Sequence, residues 1–229
     1  MEVFTYYNIF VIILALVWFL IYLTHQDVRR EMLVLGIFAI FLMPLAFTLG
    51  DPASLDAQSK FAQIQIADVL FAFTLAGIAG ASFHALFGKH YHKLPKSKRP
   101  TEALPAQVWL MRLLIAFLIF VWGVVLLTII FELSTTQAAL ISAIVIAVYV
   151  VSHRHDLLSD AIWSAFLTTI IVFLASLLAT LFTGVDFTIG PISSTATFLD
   201  VPVDLLVWSA ALGLALGPLY EFIRRFEVK

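Results

Sequence analysis

Cysteine is absent from this chain of 229 residues, and charged residues make up only 12% of it. Without cysteine there can be no disulfide, thiolate metal site, cysteine nucleophile or CxxC redox motif. Soluble domains are about 25% charged, roughly twice the fraction found here. The sequence also contains nothing resembling a Gly-rich phosphate loop, a GxSxG elbow or a GxGxxG motif. These absences exclude several common classes of soluble enzyme, and the scarcity of basic residues argues against a nucleic-acid partner.

Apolar residues are abundant instead, at 62% of the chain with a mean hydropathy of +1.04. A transmembrane helix needs about 20 predominantly apolar residues. Seven stretches have this character, and they predict an all-α integral membrane protein with a single domain, 1–229, in the cytoplasmic (plasma) membrane. The stretches are 4–23, 31–49, 66–87, 108–131, 138–151, 157–182 and 203–223.

Basic residues are distributed very unevenly between the two sides of this arrangement. Twelve of the 13 lysines and arginines fall in the loops and ends of one side, and only Lys60 falls on the other. Cytoplasmic loops carry the excess of Lys and Arg in membrane proteins. The sequence therefore predicts an outside N-terminus and a cytoplasmic C-terminus, with the basic loop 88–107 mostly irregular and cytoplasmic.

The chain also contains a weak internal repeat. Residues 1–89 and 136–226 each hold three apolar stretches, and 108–132 supplies a linking helix between them. In each unit a long outer loop precedes a last helix that opens with an aspartate. Because the first helices of both units run in the same direction, the pattern predicts a 3+1+3 parallel repeat about an axis along the membrane normal.

The alignment of the two units pairs particular residues. Asp68 aligns with Asp204 and Gly77 with Gly213, while the pair Asp27 and Glu31 stands opposite Asp156 and Asp160. Small residues concentrate in the third and seventh helices, including the pair Gly213 and Gly217. Small residues let helix backbones approach in lipid, so these two helices are predicted to form the central pair, although small residues also fill any crowded bundle.

Two carboxylates, Asp68 and Asp204, lie at the outer ends of these repeat-related helices. Ionisable groups at membrane depth are functional candidates, and two neighbouring carboxylates can divide acid and base roles between them. We therefore consider both as catalytic candidates. The alternative is that each occupies the first turn of its helix, where the helix dipole favours a carboxylate.

Glu221 is a third catalytic candidate, near the inner end of the seventh stretch. On a helix it shares a stripe with Gly213 and Gly217. A surface ion pair with Arg224 or Arg225 is the alternative. The remaining inner acids lie around the starts of the second and sixth helices, where capping accounts for Asp27 and Asp156 and leaves Glu31 and Asp160 unassigned.

The six histidines all map to the cytoplasmic edge. Their only pairs have His-x-His spacing, whose side chains diverge on a helix. We therefore interpret them as interfacial loop residues and predict no metal site.

The third and seventh helices resemble the lycopene cyclase domain family, the small membrane cyclases that are unrelated to flavoprotein cyclases. The resemblance rests on IADVLFAFTLAGIAG, on PVDLLVWSAALGLALGPLYEF and on the three-helix unit used twice. In that family the last helix of each unit opens with Pro-x-Glu-(Glu/Asp). Here Pro202-Val203-Asp204 retains part of this signature, whereas Ile66 replaces the proline before Asp68.

The resemblance implies an acid–base cyclase or isomerase of a carotenoid or other isoprenoid that needs no redox cofactor. Asp68 and Asp204 would exchange protons, and aromatic faces would bind the polyene and stabilise a carbocation. The candidate substrate-binding residues are Phe71, Phe73, Trp208 and Tyr220. The partners expected are a hydrophobic polyene, the lipid bilayer, and a second membrane protein or another copy of the chain.

Two other classes of function fit the sequence. One is a non-enzymatic lipid-binding or scaffold subunit of a membrane complex, and the other is a small-solute carrier, since 3+1+3 parallel repeats also occur in sugar carriers. A retinal protein is excluded because no apolar stretch contains the lysine that a Schiff base requires.

Overall fold

The computed structural model describes residues 2–49, 65–88, 91–93, 106–184, 196–224 and 226–228. Helices dominate these segments. We number them α1 (Glu2–Thr24), α2 (Arg29–Leu49), α3 (Ile66–Phe87), α4 (Ala106–Phe131), α5 (Thr135–His153), α6 (Leu158–Thr183), α7 (Val203–Leu216) and α8 (Leu219–Arg224), and a short 3-10 helix (His155–Leu157) precedes α6.

Five spans in this part of the chain are long and apolar enough to cross a membrane. Apolar length and composition define them, and a shorter apolar helix covers Gln137–His153. The five spans are Tyr6–Thr24, Ile66–Phe87, Trp109–Phe131, His155–Thr183 and Val203–Ile223.

The seventh apolar stretch, predicted as one continuous helix, is interrupted between α7 and α8. Pro218 lies at the interruption, and proline removes a backbone donor and clashes with the preceding turn. The chain then resumes as α8, and the Phe222 carbonyl accepts a hydrogen bond from Arg112 Nη1 on α4 at 3.0 Å. This contact ties the last short helix to the linking helix.

Four short strands accompany the helices. β1 (Tyr91–Lys93) pairs antiparallel with β4 (Phe226–Val228), and β2 (Thr197–Phe198) pairs with β3 (Val201–Pro202). The first pair places three residues of the basic loop 88–107 in a strand. Most of that loop lies outside the described residues, so its irregular structure stays a prediction. The outer loop 50–63 lies outside the described residues.

The helices surround two main apolar cores. One is formed by α1, α3, α6 and α7, and its fully buried side chains include Tyr6, Phe10, Leu75 and Leu205. The other lies towards the ends of α2, α5, α7 and α8, around residues such as Leu35, Val150, Leu219 and Ile223.

Glycines on α3 and α7 make the closest helix approaches. A Cβ on Gly213 would lie 2.6 Å from the Ser164 carbonyl oxygen, and one on Gly217 would lie 2.5 Å from the Ser164 side chain. The two glycines therefore bring α7 against α6. This corrects the expectation that they serve mainly a contact between the third and seventh helices, although α3 and α7 do touch near Gly80 and Leu216.

Candidate functional site

Asp68 joins the beginning of α3 to α1. Its Oδ1 accepts a hydrogen bond from the Tyr7 hydroxyl at 2.7 Å, and its Oδ2 accepts one from the Gln65 backbone N–H at 2.9 Å. The first-turn role considered from the sequence is therefore present in the structure. Asp204 is exposed in the first turn of α7. Among the described residues the two carboxylates share no hydrogen bond, and their pairing as acid and base stays a prediction.

The four aromatic residues predicted to bind a substrate are divided between different places. Phe71 and Trp208 stack with ring centroids 6.5 Å apart, beside Tyr7. Phe73 packs on Trp18 instead. Tyr220 is buried at the opposite end of the bundle, next to Glu221. The structure therefore brings Phe71 and Trp208 together and leaves the other two elsewhere.

A second group of ionisable residues lies completely inside the protein, at the end of the bundle that the sequence assigns to the cytoplasm. We call it the inner cluster, and it consists of Glu31, His84, Asp160 and Glu221. Their exposed fractions are 0%, 1%, 0% and 0%. Side chains of these types are rarely this buried unless they are paired or bind a metal, so the cluster is the strongest site candidate in the described structure.

Its geometry centres on the imidazole of His84. The Nε2 atom lies 3.0 Å from Glu221 Oε1 and 3.7 Å from Asp160 Oδ2. One donor atom each from Glu31, His84 and Glu221 lie within 4.8 Å of one another. Ser164 donates a hydrogen bond to Asp160 Oδ1 at 3.1 Å. Three carboxylates and one imidazole thus converge on a single small volume.

Four different helices supply the inner cluster. Glu31 and Asp160 are each the third residue of their helices, α2 and α6, which the repeat alignment places opposite each other. His84 lies in the last turn of α3, and Glu221 lies in the first turn of α8. Because helix ends meet here from both halves of the chain, the cluster depends on how the whole bundle packs.

The close approach of α6 and α7 positions half of the cluster. Gly213 and Gly217 lie against Ser164, which in turn holds the Asp160 carboxyl group. A side chain at either glycine would push Ser164 away. The break at Pro218 then turns the chain so that Glu221, three residues later, reaches His84.

The inner cluster is far from Asp68. Sixteen residues of continuous helix separate Asp68 from His84, which corresponds to about 24 Å at 1.5 Å per residue. Glu221 contacts His84 and hence lies at the far end of α3 from Asp68. Glu221 and Asp68 therefore cannot act on the same reacting bond.

The structure corrects two interpretations made from the sequence and assigns two residues that the sequence left open. His84 is buried within α3 and is not an interfacial loop residue. Glu221 contacts His84 in the interior instead of forming a surface ion pair. Glu31 and Asp160, left unassigned above, are fully buried members of the cluster. The repeat alignment held a usable signal, because it matched Glu31 with Asp160, but no sequence spacing linked them to His84.

A row of aromatic rings connects the inner cluster to the outer surface of the bundle. Phe83 packs edge-on against His84 at 5.2 Å and tilts against Phe87 at 5.1 Å, and Phe87 contacts Trp163 at 5.2 Å. Trp163 meets Phe166 at 5.9 Å. The last three rings are exposed, and the row is therefore a continuous set of apolar contacts from the bundle surface to the buried imidazole.

The inner cluster is identified from the geometry of its residues alone. No protein-family model, curated protein or solved structure matches the chain.

Proposed function

We propose that the chain crosses the membrane seven times, with the N-terminus outside and the inner cluster near the cytoplasmic face. Support comes from the five apolar spans, the shorter apolar helix Gln137–His153, the helix α2 (Arg29–Leu49) over the remaining apolar stretch, and the one-sided distribution of basic residues. The C-terminal end of α3 and the first turn of α8 meet at the inner cluster, and in the sequence each is followed by a basic segment, 88–107 and 224–229.

We also propose the 3+1+3 parallel repeat. In the first unit, α3 packs against both α1 and α2, and in the second unit α7 packs against both α5 and α6. The linking helix α4 packs mainly on α5. Of the repeat-paired glycines, Gly213 lies against the second helix of its unit, α6, whereas a Cβ on Gly77 would meet the Trp18 indole of α1 as well as the Met32 carbonyl oxygen of α2, the latter at 3.2 Å.

For the activity, we propose an acid–base cyclase or isomerase of a long polyene, similar to the lycopene cyclase domain family. The observation that supports it best is the inner cluster itself. Three carboxyl groups and an imidazole, fully buried and within a few ångströms, are groups that can donate and accept protons away from water. The sequence led us to expect such an arrangement at Asp68 and Asp204, whereas the cluster assembles it at the other end of α3.

The proposed reaction needs no net redox change. A carboxylic acid of the cluster, Glu221 beside His84, protonates a terminal C=C bond of the polyene, which forms a C–H bond and leaves a tertiary carbocation. A neighbouring C=C bond attacks this cation and closes a ring. A carboxylate, Asp160 or Glu31, then removes a proton from the carbon next to the new cation and restores a double bond.

The substrate is as apolar as the lipid, so it requires apolar contacts along its route to the inner cluster. The aromatic row supplies these contacts. A polyene approaching between α3 and α6 meets Phe166, Trp163 and Phe87 before it reaches Phe83 and His84. Ring faces also stabilise a nearby cation, by about 0.5–2 kcal/mol each. The substrate therefore enters sideways from the membrane.

Expression in a host that accumulates lycopene tests this proposal. Wild type should yield a cyclised product, and Glu221→Gln and Asp160→Asn should each reduce its formation about 100-fold or more, because general acid–base groups contribute about 10²–10⁴-fold. Asp156→Asn is the matched control, since Asp156 is an exposed carboxylate four residues before Asp160 that pairs with Arg154.

The amides keep the shape of the side chains but cannot exchange a proton in this way. Unchanged product formation by both cluster variants would overturn the assignment of the cluster. A wild-type protein that is folded in the membrane yet neither converts lycopene nor retains a polyene on extraction would overturn the lycopene reaction.

A further inference from the structure

We infer that the inner cluster binds one divalent transition-metal cation. This deepens the proposed function by adding regulation at the same residues, although cation binding itself does not depend on any activity. The sequence predicted no metal site, because its only histidine pairs have His-x-His spacing, which does not bring two side chains together on a helix. The structure shows that a single histidine from α3 meets carboxylates from three other helices.

The donor atoms have the spacing that a cation requires. Zinc lies about 2.0–2.2 Å from imidazole nitrogen and carboxylate oxygen, so its ligand atoms are about 3–4.4 Å apart in tetrahedral or octahedral geometry. His84 Nε2 is 3.0 Å from Glu221 Oε1 and 3.7 Å from Asp160 Oδ2. The Glu31, His84 and Glu221 donors lie within 4.8 Å of one another. Shifts of a few tenths of an ångström would complete the site.

The arrangement differs from an ordinary histidine–carboxylate ion pair. A single Nε2 atom can direct its one hydrogen, or its one lone pair, towards only one partner. Here oxygens from Glu221 and Asp160, on separate helices, both lie near the same nitrogen. A cation between Glu31, His84 and Glu221 would contact one donor atom of each at once, which an N–H group cannot do.

The chemistry of the donors narrows the choice of metal. Imidazole suits zinc, iron, copper and nickel, whereas carboxylates suit magnesium, calcium and manganese, so a mixed set favours Zn²⁺, Mn²⁺ or Fe²⁺. Magnesium tends to keep several waters, and the fully buried cluster leaves little access to them. We therefore expect Zn²⁺ to bind more tightly than Mg²⁺.

Such a cation would control the proposed proton chemistry. It would bind the oxygens of Glu31 and Glu221 that otherwise exchange protons, and it would hold the ends of α2, α3 and α8 together. We therefore expect Zn²⁺ to inhibit polyene conversion and a chelator to restore it.

The experiment measures metal binding without any substrate. The protein is purified in detergent, stripped with a chelator and dialysed against Zn²⁺, and bound zinc is counted. Replacement of the His-x-His histidines with glutamine removes adventitious sites; these are His90, His92, His153 and His155. In this background we expect one zinc per chain, with at least 10-fold weaker binding after His84→Gln, Glu221→Gln or Glu31→Gln.

Asp156→Asn again serves as the matched control and should leave binding unchanged. Absence of zinc binding in the histidine-depleted chain, or binding that all three cluster variants retain, would overturn the inference. If a cluster variant fails to fold, zinc X-ray absorption spectroscopy of the histidine-depleted chain, with the cluster intact, identifies the ligand atoms. One nitrogen and two or three oxygen ligands support the site, and a shell of nitrogens alone refutes it.

The two proposals fail in different ways. Stoichiometric zinc binding by a protein that never converts a polyene would keep the metal site and overturn the cyclase. Polyene conversion in the presence of a chelator, by a protein that binds no zinc, would keep the cyclase and overturn the metal site.

Discussion

Gly213 is the position where a single methyl group should separate α6 from α7. A Cβ placed there would lie 2.6 Å from both the Ala165 Cα and the Ser164 carbonyl oxygen, and 2.8 Å from the Ala165 nitrogen. Ordinary van der Waals contact begins at 3.4 Å. All three neighbours are backbone atoms, so no side-chain rotation relieves the overlap and the two helices must move apart.

The expected cost of Gly213→Ala follows from these contacts. Overpacking costs about 1–3 kcal/mol, and a clash with rigid backbone falls at the upper end of that range. The higher helix propensity of alanine offsets about 1 kcal/mol of this cost, so the free energy of unfolding should decrease by about 2 kcal/mol. For a chain of this length, that loss corresponds to a decrease of about 4–8 °C in the melting temperature.

Gly123→Ala is the matched control. Its Cβ would meet the Ser142 side chain, with Oγ at 2.6 Å and Cβ at 3.2 Å, whereas the Ser142 Cα is 3.8 Å away. A hydroxyl group can rotate, so the gain in helix propensity should offset the contact and leave the melting temperature within about 3 °C of wild type.

Thermal unfolding of the two purified variants in the same detergent measures the difference. If Gly213→Ala melts at the temperature of Gly123→Ala, or above wild type, the close packing of α6 on α7 is refuted. Zinc binding gives a second readout, because displacement of Ser164 should also move Asp160 away from His84 and weaken the site.

The other predictions concern the outer end of the bundle and the topology. Tyr7→Phe removes a hydrogen bond to a carboxylate and should destabilise the protein by about 2 kcal/mol, which thermal unfolding would detect; no change would mean that the contact is not maintained. Asp68→Asn keeps one acceptor oxygen and should retain polyene conversion while losing about 1 kcal/mol of stability, and abolished conversion would instead make Asp68 catalytic. Single cysteines placed at Ser54 and Ser193 in this cysteine-free chain should react with an impermeant thiol reagent only from outside. A single cysteine at Ser97 should react only from the cytoplasm. Labelling of Ser97 from outside would overturn the orientation.

The helices themselves were predictable because apolar length is a local property. The fifth stretch, 138–151, was located from its apolar residues, and α5 extends it into flanking polar residues at both ends, covering Thr135–His153. The break at Pro218 was not predicted, because whether a helix continues past a proline depends on what neighbouring elements offer the freed backbone groups.

The candidate site was only partly predictable. Glu221 was named as a catalytic candidate, and the repeat alignment paired Glu31 with Asp160. His84 was missed because a histidine in an apolar run near a helix end looks the same whether it lies in the interface or in the interior. Its environment is created by α6 and α8, which begin 74 and 135 residues later in the chain.

The sequence by itself determined the helical, apolar character of this protein, since about 20 apolar residues in a row are sufficient to specify a membrane-length helix. It also determined where charges could occur, at the ends of those helices. Only the tertiary structure decided which charged ends meet. The contact of His84 with Asp160 and Glu221 arises from the glycine-mediated approach of α7 to α6 and from the turn at Pro218, and these depend on packing between helices that are distant in the chain.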